Sequence, residues 1–256
     1  TEIYTLSLHD ALPICVGGSG TLILTVAENS QGGAFIAEPL TGELVTGLFV
    51  RFQVQIGGGT QPPADGMSFV WAPDLTDGVF GEDGAGSGLV VSFDTYNNNA
   101  AGTPAEAPSI DVRFGGQDVA ATRVPASRLD TAGGYVDVII RIEADGTFDF
   151  AIGGEVLYYN LPLPGYAGLT NARFGFGART GGLNANHFVD DLEITTTTGV
   201  PLSVTLGGTP ENPTLIYTGV LQSADSLSGT FTDVVGATSP YPLLSNPPAR
   251  FYRTRD

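Results

Sequence analysis

The chain of 256 residues has no lysine, and only one cysteine, one methionine, one tryptophan and two histidines. A lone cysteine, Cys15, excludes an intramolecular disulfide and any cysteine-based metal site. Only ten basic residues, all arginine, face 27 acidic ones, for a net charge of -17. Such acidity repels phosphate backbones and anionic lipid, so nucleic acid is not an expected partner. No stretch approaches the ~18 uninterrupted apolar residues of a membrane span, and no membrane insertion is expected. Helical periodicity is also missing over any long segment. With so few histidines, no Ser/His/Asp arrangement stands out.

What the chain has in quantity is glycine (36) and proline (17), with abundant Val, Ile, Thr, Phe and Tyr. Many turn-formers between β-branched and aromatic runs predict short strands and tight turns, an all-β sandwich. The length suits one large β domain and one small one. Acidity accounts for solubility and is compatible with calcium binding.

Three regions are expected. Residues 1–14 (TEIYTLSLHDALPI) resemble a translated sequencing-adapter fragment and are read as a non-native segment. On that reading the native N-terminus is missing, and the lack of a signal peptide carries no information about localisation. Residues 15–198 form the main domain. Within it, Leu48–Ile56 (LFVRFQVQI) alternates with period 2, the mark of a strand with one buried face, and Gly57-Gly58-Gly59 ends it. Val136–Glu143 and Thr147–Ile152 flank Ala144-Asp145-Gly146, a hairpin cue. Thr195–Gly199 reads as a hinge, and residues 199–256 as a small β module with little core of its own. That module resembles tail modules of secreted bacterial multidomain proteins.

Two stretches carry most information. Ala64-Asp65-Gly66-Met67-Ser68-Phe69-Val70-Trp71-Ala72-Pro73 and Val90-Val91-Ser92-Phe93-Asp94-Thr95-Tyr96-Asn97-Asn98 read as buried strands, each with a carboxylate and small residues at one end. Asp94, Tyr96 and Asn98 share one direction by strand alternation. A carboxylate, a carbonyl and an amide oxygen are the hard donors calcium takes. A third stretch, Phe174–Gly182 (FGFGARTGG), precedes His187–Ile194 (HFVDDLEI).

Together these stretches resemble the L-type, legume-lectin-like family of the concanavalin A-like jelly roll. The resemblance implies a jelly-roll sandwich and a calcium-dependent, carbohydrate-binding module of an extracellular or cell-surface bacterial protein. It implies calcium ligands at Asp94, Tyr96 (through its carbonyl) and Asn98, with Glu106 from the following loop. It implies sugar contacts from Asp65, Asn98 and a loop glycine, taken as Gly86 with Gly84 as the second choice, and from Leu183 and Asn184. It also implies a cis peptide before Asp65. The plant members' transition metal is not expected, because Ser92 and Ala107 stand where its ligands would be.

Each residue has a plainer reading. Asp65 is an Asp-Gly turn residue, Trp71 a core residue, and His187 a satisfied strand-end histidine. The same jelly roll hosts glucanases with Glu-x-Asp-x-x-Glu on one strand. No such pattern occurs, so no enzyme is expected. The rival to the lectin reading is a structural or adhesive sandwich that kept the fold without a sugar site.

Overall fold

A computed structural model describes residues 20–39, 42–99, 103, 105–199, 204–209, 212–226, 229–243 and 250–255. The adapter-like segment and Cys15 lie outside the described residues. The chain divides into two compact units at Thr198 and Gly199. No helix among the described residues is long and apolar enough to cross a membrane.

The first unit is two antiparallel sheets. One runs in the order β1 (Leu22–Thr25), β13 (Asn186–Thr198), β3 (Leu44–Gly57), β8 (Val136–Ile142), β9 (Thr147–Ile152), β10 (Glu155–Pro162), with β11 (Leu169–Thr170) also paired to β3. The other runs β2 (Gly32–Ile36), β12 (Arg173–Arg179), β4 (Gly66–Ala72), β5 (Leu89–Asp94), β6 (Ser109–Phe114), β7 (Gln117–Arg123). One short helix, α1 (Ala126–Leu129), follows β7.

Alternation explains the layering. In β3, Leu48, Val50, Phe52, Val54 and Ile56 are buried while Arg51 is exposed. In β5 and β6, Val91, Phe93, Ile110 and Val112 face the core, so Ser92, Asp94, Ser109 and Asp111 face outward. Aromatic rings lock the sheets together. Phe52 meets Phe176 edge-on at 5.1 Å between ring centroids, and Phe93 meets Phe150 at 5.8 Å. Trp71 is fully buried and stacks on Phe174 at 6.0 Å, a core residue as its plainer reading has it. Outside the six-stranded sheet, Leu75, Phe80 and Ala85 cover Val70, Ala72 and Val90. Gly175 permits this cover, since a Cβ there would stand 3.2 Å from the Phe80 ring.

Thr195–Thr198 is not a hinge. It continues β13, pairing with Phe49, Leu48, Gly47 and Val45. β-branched threonines suit a pleated ladder, and that preference outweighs the turn-like look of the following glycine. The strands β7 and β10 were not expected from the sequence.

The second unit has two small sheets. One contains β14 (Val204–Thr209), β15 (Asn212–Tyr217) and β18 (Tyr241–Pro242); the other contains β17 (Thr232–Asp233), β16 (Val220–Ala224) and β19 (Phe251–Arg255). Leu215, Tyr217 and Leu221 form its small core.

Candidate functional site

Four strand ends meet at one edge of the six-stranded sheet. Arg179 ends β12 opposite Gly66, which starts β4; Gly66 lies opposite Asp94, which ends β5; Asp94 lies opposite Ser109, which starts β6. Asp65 stands one residue before Gly66, after a cis Ala64–Asp65 peptide, as the family resemblance implies. Its backbone extends the ladder in both directions. Asp65 N–H donates to the Arg179 carbonyl at 3.0 Å, and Thr95 donates its N–H (3.0 Å) and its hydroxyl (2.8 Å) to the Asp65 carbonyl. The Asp65 backbone is therefore held between the end of β12 and the segment that follows Asp94.

That segment folds back on itself. Tyr96 N–H donates to Asp94 Oδ1 at 3.1 Å, and Asn98 Nδ2 donates to the Tyr96 carbonyl at 3.3 Å. Asn98 N–H donates to Glu106 Oε1 at 2.7 Å, while Glu106 N–H donates to Asn97 Oδ1 at 2.8 Å. Asp94, Tyr96, Asn98 and Glu106 are thus gathered into one loop cluster. Burial pushes the Asp94 carboxyl up to about 7, opposed by its Tyr96 N–H and reinforced by the negative charges of Glu82, Asp111 and Glu106.

Among the described residues no three His, Cys, Asp or Glu side chains gather closely enough to hold a metal. The donor set is two carboxylates with neutral oxygens, a set that fits calcium, whose six to eight ligands commonly include carbonyls, amides and waters.

Sequence reasoning missed the strongest polar contact in the site. Arg179 grips Glu82 through Nε (2.9 and 3.1 Å) and Nη2 (2.6 Å), and its Nε lies 3.4 Å from Asp65 Oδ2. The Glu82 side chain is 4% exposed and that of Arg179 is 48% exposed. A buried acid needs such a partner. Burial raises the Asp65 carboxyl above its usual range, and the Arg179 charge works against that shift. The signal was present in the sequence: Arg179 closes a strand whose interior, Phe174–Ala178, carries no charge, and Glu82 sits inside a glycine-rich loop.

Gly86 requires correction. The loop 81–88 runs back along β4 from its Asp65 end to its far end. A Cβ at Gly81 would meet Arg179 Cδ at 2.8 Å, whereas one at Gly86 would meet Ala72 Cβ and Asp74 Oδ1, each at 2.8 Å. Gly66 and Ala72 are about 20 Å apart at strand rise. Gly86 is therefore at the wrong end of the strand, and Gly84, against Val70 and Val90, lies midway. Gly81 is the loop glycine at the Asp65 end.

From the other side, Gly181 abuts Asp65, since a Cβ there would stand 3.2 Å from Oδ2. Gly181 N–H donates to the Leu183 carbonyl at 3.1 Å, which draws the half-buried Leu183 into the same turn. Asn184 is occupied with its neighbours: its amide donates to Asn29 Oδ1, and its carbonyl accepts from Thr60 N–H and hydroxyl at 3.0 and 3.1 Å. His187 is fully buried, with Nδ1 2.7 Å from the Thr25 hydroxyl and Nε2 without a partner. It is only half satisfied, and it belongs to the core.

No protein-family model matches the sequence, and no curated protein does. Solved structures do match in shape. The VIP36 exoplasmic/lumenal domain in its Ca2+/Man-bound form superposes with a TM-score of 0.58 at 16% identity, covering 77% of this chain and 98% of that one. The metal-free form of the same domain gives 0.53 at 18% identity, covering 70% and 84%. The lectin from Bauhinia forficata in complex with GalNAc gives 0.55 at 17% identity, covering 70% and 88%.

The sandwich is a legume-lectin-type jelly roll. In this lectin-fold unit, the edge that carries Asp65, Arg179, Asp94 and the Asn98 loop is the candidate site.

Proposed function

We propose that the lectin-fold unit binds a glycan in a calcium-dependent manner and catalyses no reaction. The observation that carries this reading is the pair of hydrogen bonds from Thr95 to the Asp65 carbonyl, which tie the Asp65 backbone to the segment leading into the Asn98 loop. A carboxylate acceptor and an amide that both donates and accepts are the groups that suit neighbouring sugar hydroxyls. The similar folds include a Ca2+/Man-bound form and a complex with GalNAc, which supports the reading by analogy of fold.

Asp94, the Tyr96 carbonyl, Asn98 and Glu106 would hold the calcium ion. When bound, the ion would neutralise the acidic cluster and stiffen the loop. Asp65 would accept hydrogen bonds from sugar hydroxyls, Asn98 would donate and accept, and the backbone around Gly81 and Gly181 would border the ligand. A site with only two carboxylates suits the weak, millimolar end of calcium affinity. An extracellular or cell-surface setting, part of the same proposal, would supply calcium in that range.

The test is a glycan array probed with and without EDTA, alongside Asp65→Ala. Binding that disappears with EDTA and in D65A, with the fold intact by circular dichroism, is the expected result. Binding retained by D65A overturns the role of Asp65. No binding under either condition favours the structural or adhesive reading. One observation already leans that way, because Arg179 occupies the Asp65 carboxylate.

A further inference from the structure

Arg179 stands at the Asp65 end of β12 in a seat shaped around it. Its stem crosses Gly81, where a Cβ would stand 2.8 Å from Cδ and 2.9 Å from Cγ. Gly81 is itself fixed, because its carbonyl accepts from the Ser68 hydroxyl at 2.7 Å. One edge of the guanidinium, Nε and Nη2, forks onto the buried Glu82 carboxylate. A guanidinium is planar and rigid, so fixing that edge also fixes the direction of Nη1. Among the described residues nothing accepts a hydrogen bond from Nη1. The Arg179 side chain is 48% exposed while Glu82 is 4% exposed, so the exposed part is the edge turned away from Glu82.

Asp65 complements that edge. Its Oδ2 lies 3.4 Å from Arg179 Nε, but the Nε hydrogen goes to Glu82. Among the described residues nothing donates a hydrogen bond to the Asp65 carboxylate, and neither of its oxygens is sealed from solvent. An acceptor and a donor, each without a protein partner for that role, thus stand side by side. Charge decides what they read. Glu82, Asp65 and Asp83 all act on the single charge of Arg179, within a chain of net charge -17. Three carboxylates against one guanidinium disfavour an anionic group. The pair suits neutral groups that donate at one point and accept at the next. Adjacent ring hydroxyls, about one hydrogen-bond length apart, do both.

We propose that Arg179 is a specificity-determining residue of the glycan site: Nη1 donates to one hydroxyl of a neutral sugar while the adjacent hydroxyl donates to Asp65. The inference rests on the glycan-binding reading and deepens it. It makes the contact between Arg179 and Asp65 part of the binding face rather than an obstruction of it.

The experiment is calorimetric titration of the full chain and of Arg179→Lys, in calcium. The ligands are mannose, glucose, galactose and GalNAc, the monodeoxy analogues of each, glucuronate and galacturonate. Lysine keeps a cation for Glu82 and Asp65 and removes the free edge. The wild type should lose about tenfold in affinity when either of two adjacent hydroxyls is removed. R179K, folded by circular dichroism, should bind the parent sugar about tenfold more weakly and be indifferent to one of those two hydroxyls. Unchanged affinity in R179K, or a loss that is the same for the parent sugar and every deoxy analogue, gives Arg179 a structural role only and overturns the inference. The glycan reading then still stands on the loss of binding in D65A. Tighter binding of a uronate than of its parent sugar also overturns it, in favour of an anionic ligand. The deoxy series on the wild type decides the matter even where R179K does not fold, since the lack of any required adjacent pair overturns the inference. A folded wild type that binds no sugar of the panel overturns both readings.

Discussion

The two ends of β4 are built from the same strand and covered by the same loop, yet they do opposite things. At the Trp71–Ala72 end the packing is apolar, with the Arg173–Asp77 ion pair at its border: Trp71 stacks on Phe174, and Leu75, Phe80 and Ala85 seal Val70 and Ala72. At the Asp65–Gly66 end, Asp65 and Glu82 share a single cation, Arg179, and Asp94 feels the charge of Glu82. The first end is held by burial and dispersion and has no use for a ligand. The second holds charges that are only partly compensated, which is how binding sites store capacity to interact. A strand can thus serve as core at one end and as site at the other, and the covering loop must be read by position along it.

The largest way to break this contrast is at the apolar end. Trp71→Ala removes a fully buried ring and should cost about 3–5 kcal/mol of stability in urea denaturation. Glycan binding by the fraction still folded should be unchanged; a loss of binding without a loss of stability would erase the division between the ends.

At the polar end, Glu82→Gln keeps the shape and removes the charge that orients Arg179. We expect about 1–2 kcal/mol of destabilisation, discounted because Arg179 is half-exposed. A tenfold weaker glycan affinity is expected as well, although Glu82 is buried beneath the site. Unchanged affinity would mean that Arg179 does not position Asp65.

Acid sensitivity separates the site from the core. The raised Asp65 carboxyl takes up protons more readily in the folded state, so protonation there does not destabilise the fold as pH falls. His187 acts in the opposite direction. Burial pushes its pKa down to about 3 from 6.5, so the unfolded chain binds the proton first. Stability should therefore fall by up to about 1.4 kcal/mol per pH unit from pH 6.5 towards pH 3. The core variant His187→Asn should flatten that slope in thermal melts, and Asp65→Asn should not.

The smallest effect is expected at Gly86. Its φ of +76° and its contacts with Ala72 and Asp74 predict a cost of about 1–2 kcal/mol for Gly86→Ala. Glycan affinity should not move. A binding defect in G86A would bring the loop's far end back into the site.

Period-2 alternation made the sandwich legible, because one buried face per strand leaves its imprint every second residue, as in Leu48–Ile56. β7 and β10 were not legible, since both are edge strands with exposed, mixed sequences (QDVAATR and EVLYYNLP). Only one of their two faces meets the core, and bulges break their period. Thr195–Thr198 was read as a hinge because local composition does not reveal a partner strand more than a hundred residues away.

The sequence by itself determined the all-β class, the buried signature strands and the shared direction of Asp94, Tyr96 and Asn98. Those features depend on alternation and on neighbours within about a dozen residues, which a chain encodes directly. Only the tertiary structure decided that Glu82 and Arg179, 97 residues apart, hold one another beside Asp65, and that Gly81 rather than Gly86 reaches that edge. These depend on which strands become neighbours and on how far a covering loop travels along them. Both are set by packing two sheets against each other, and no local pattern records them.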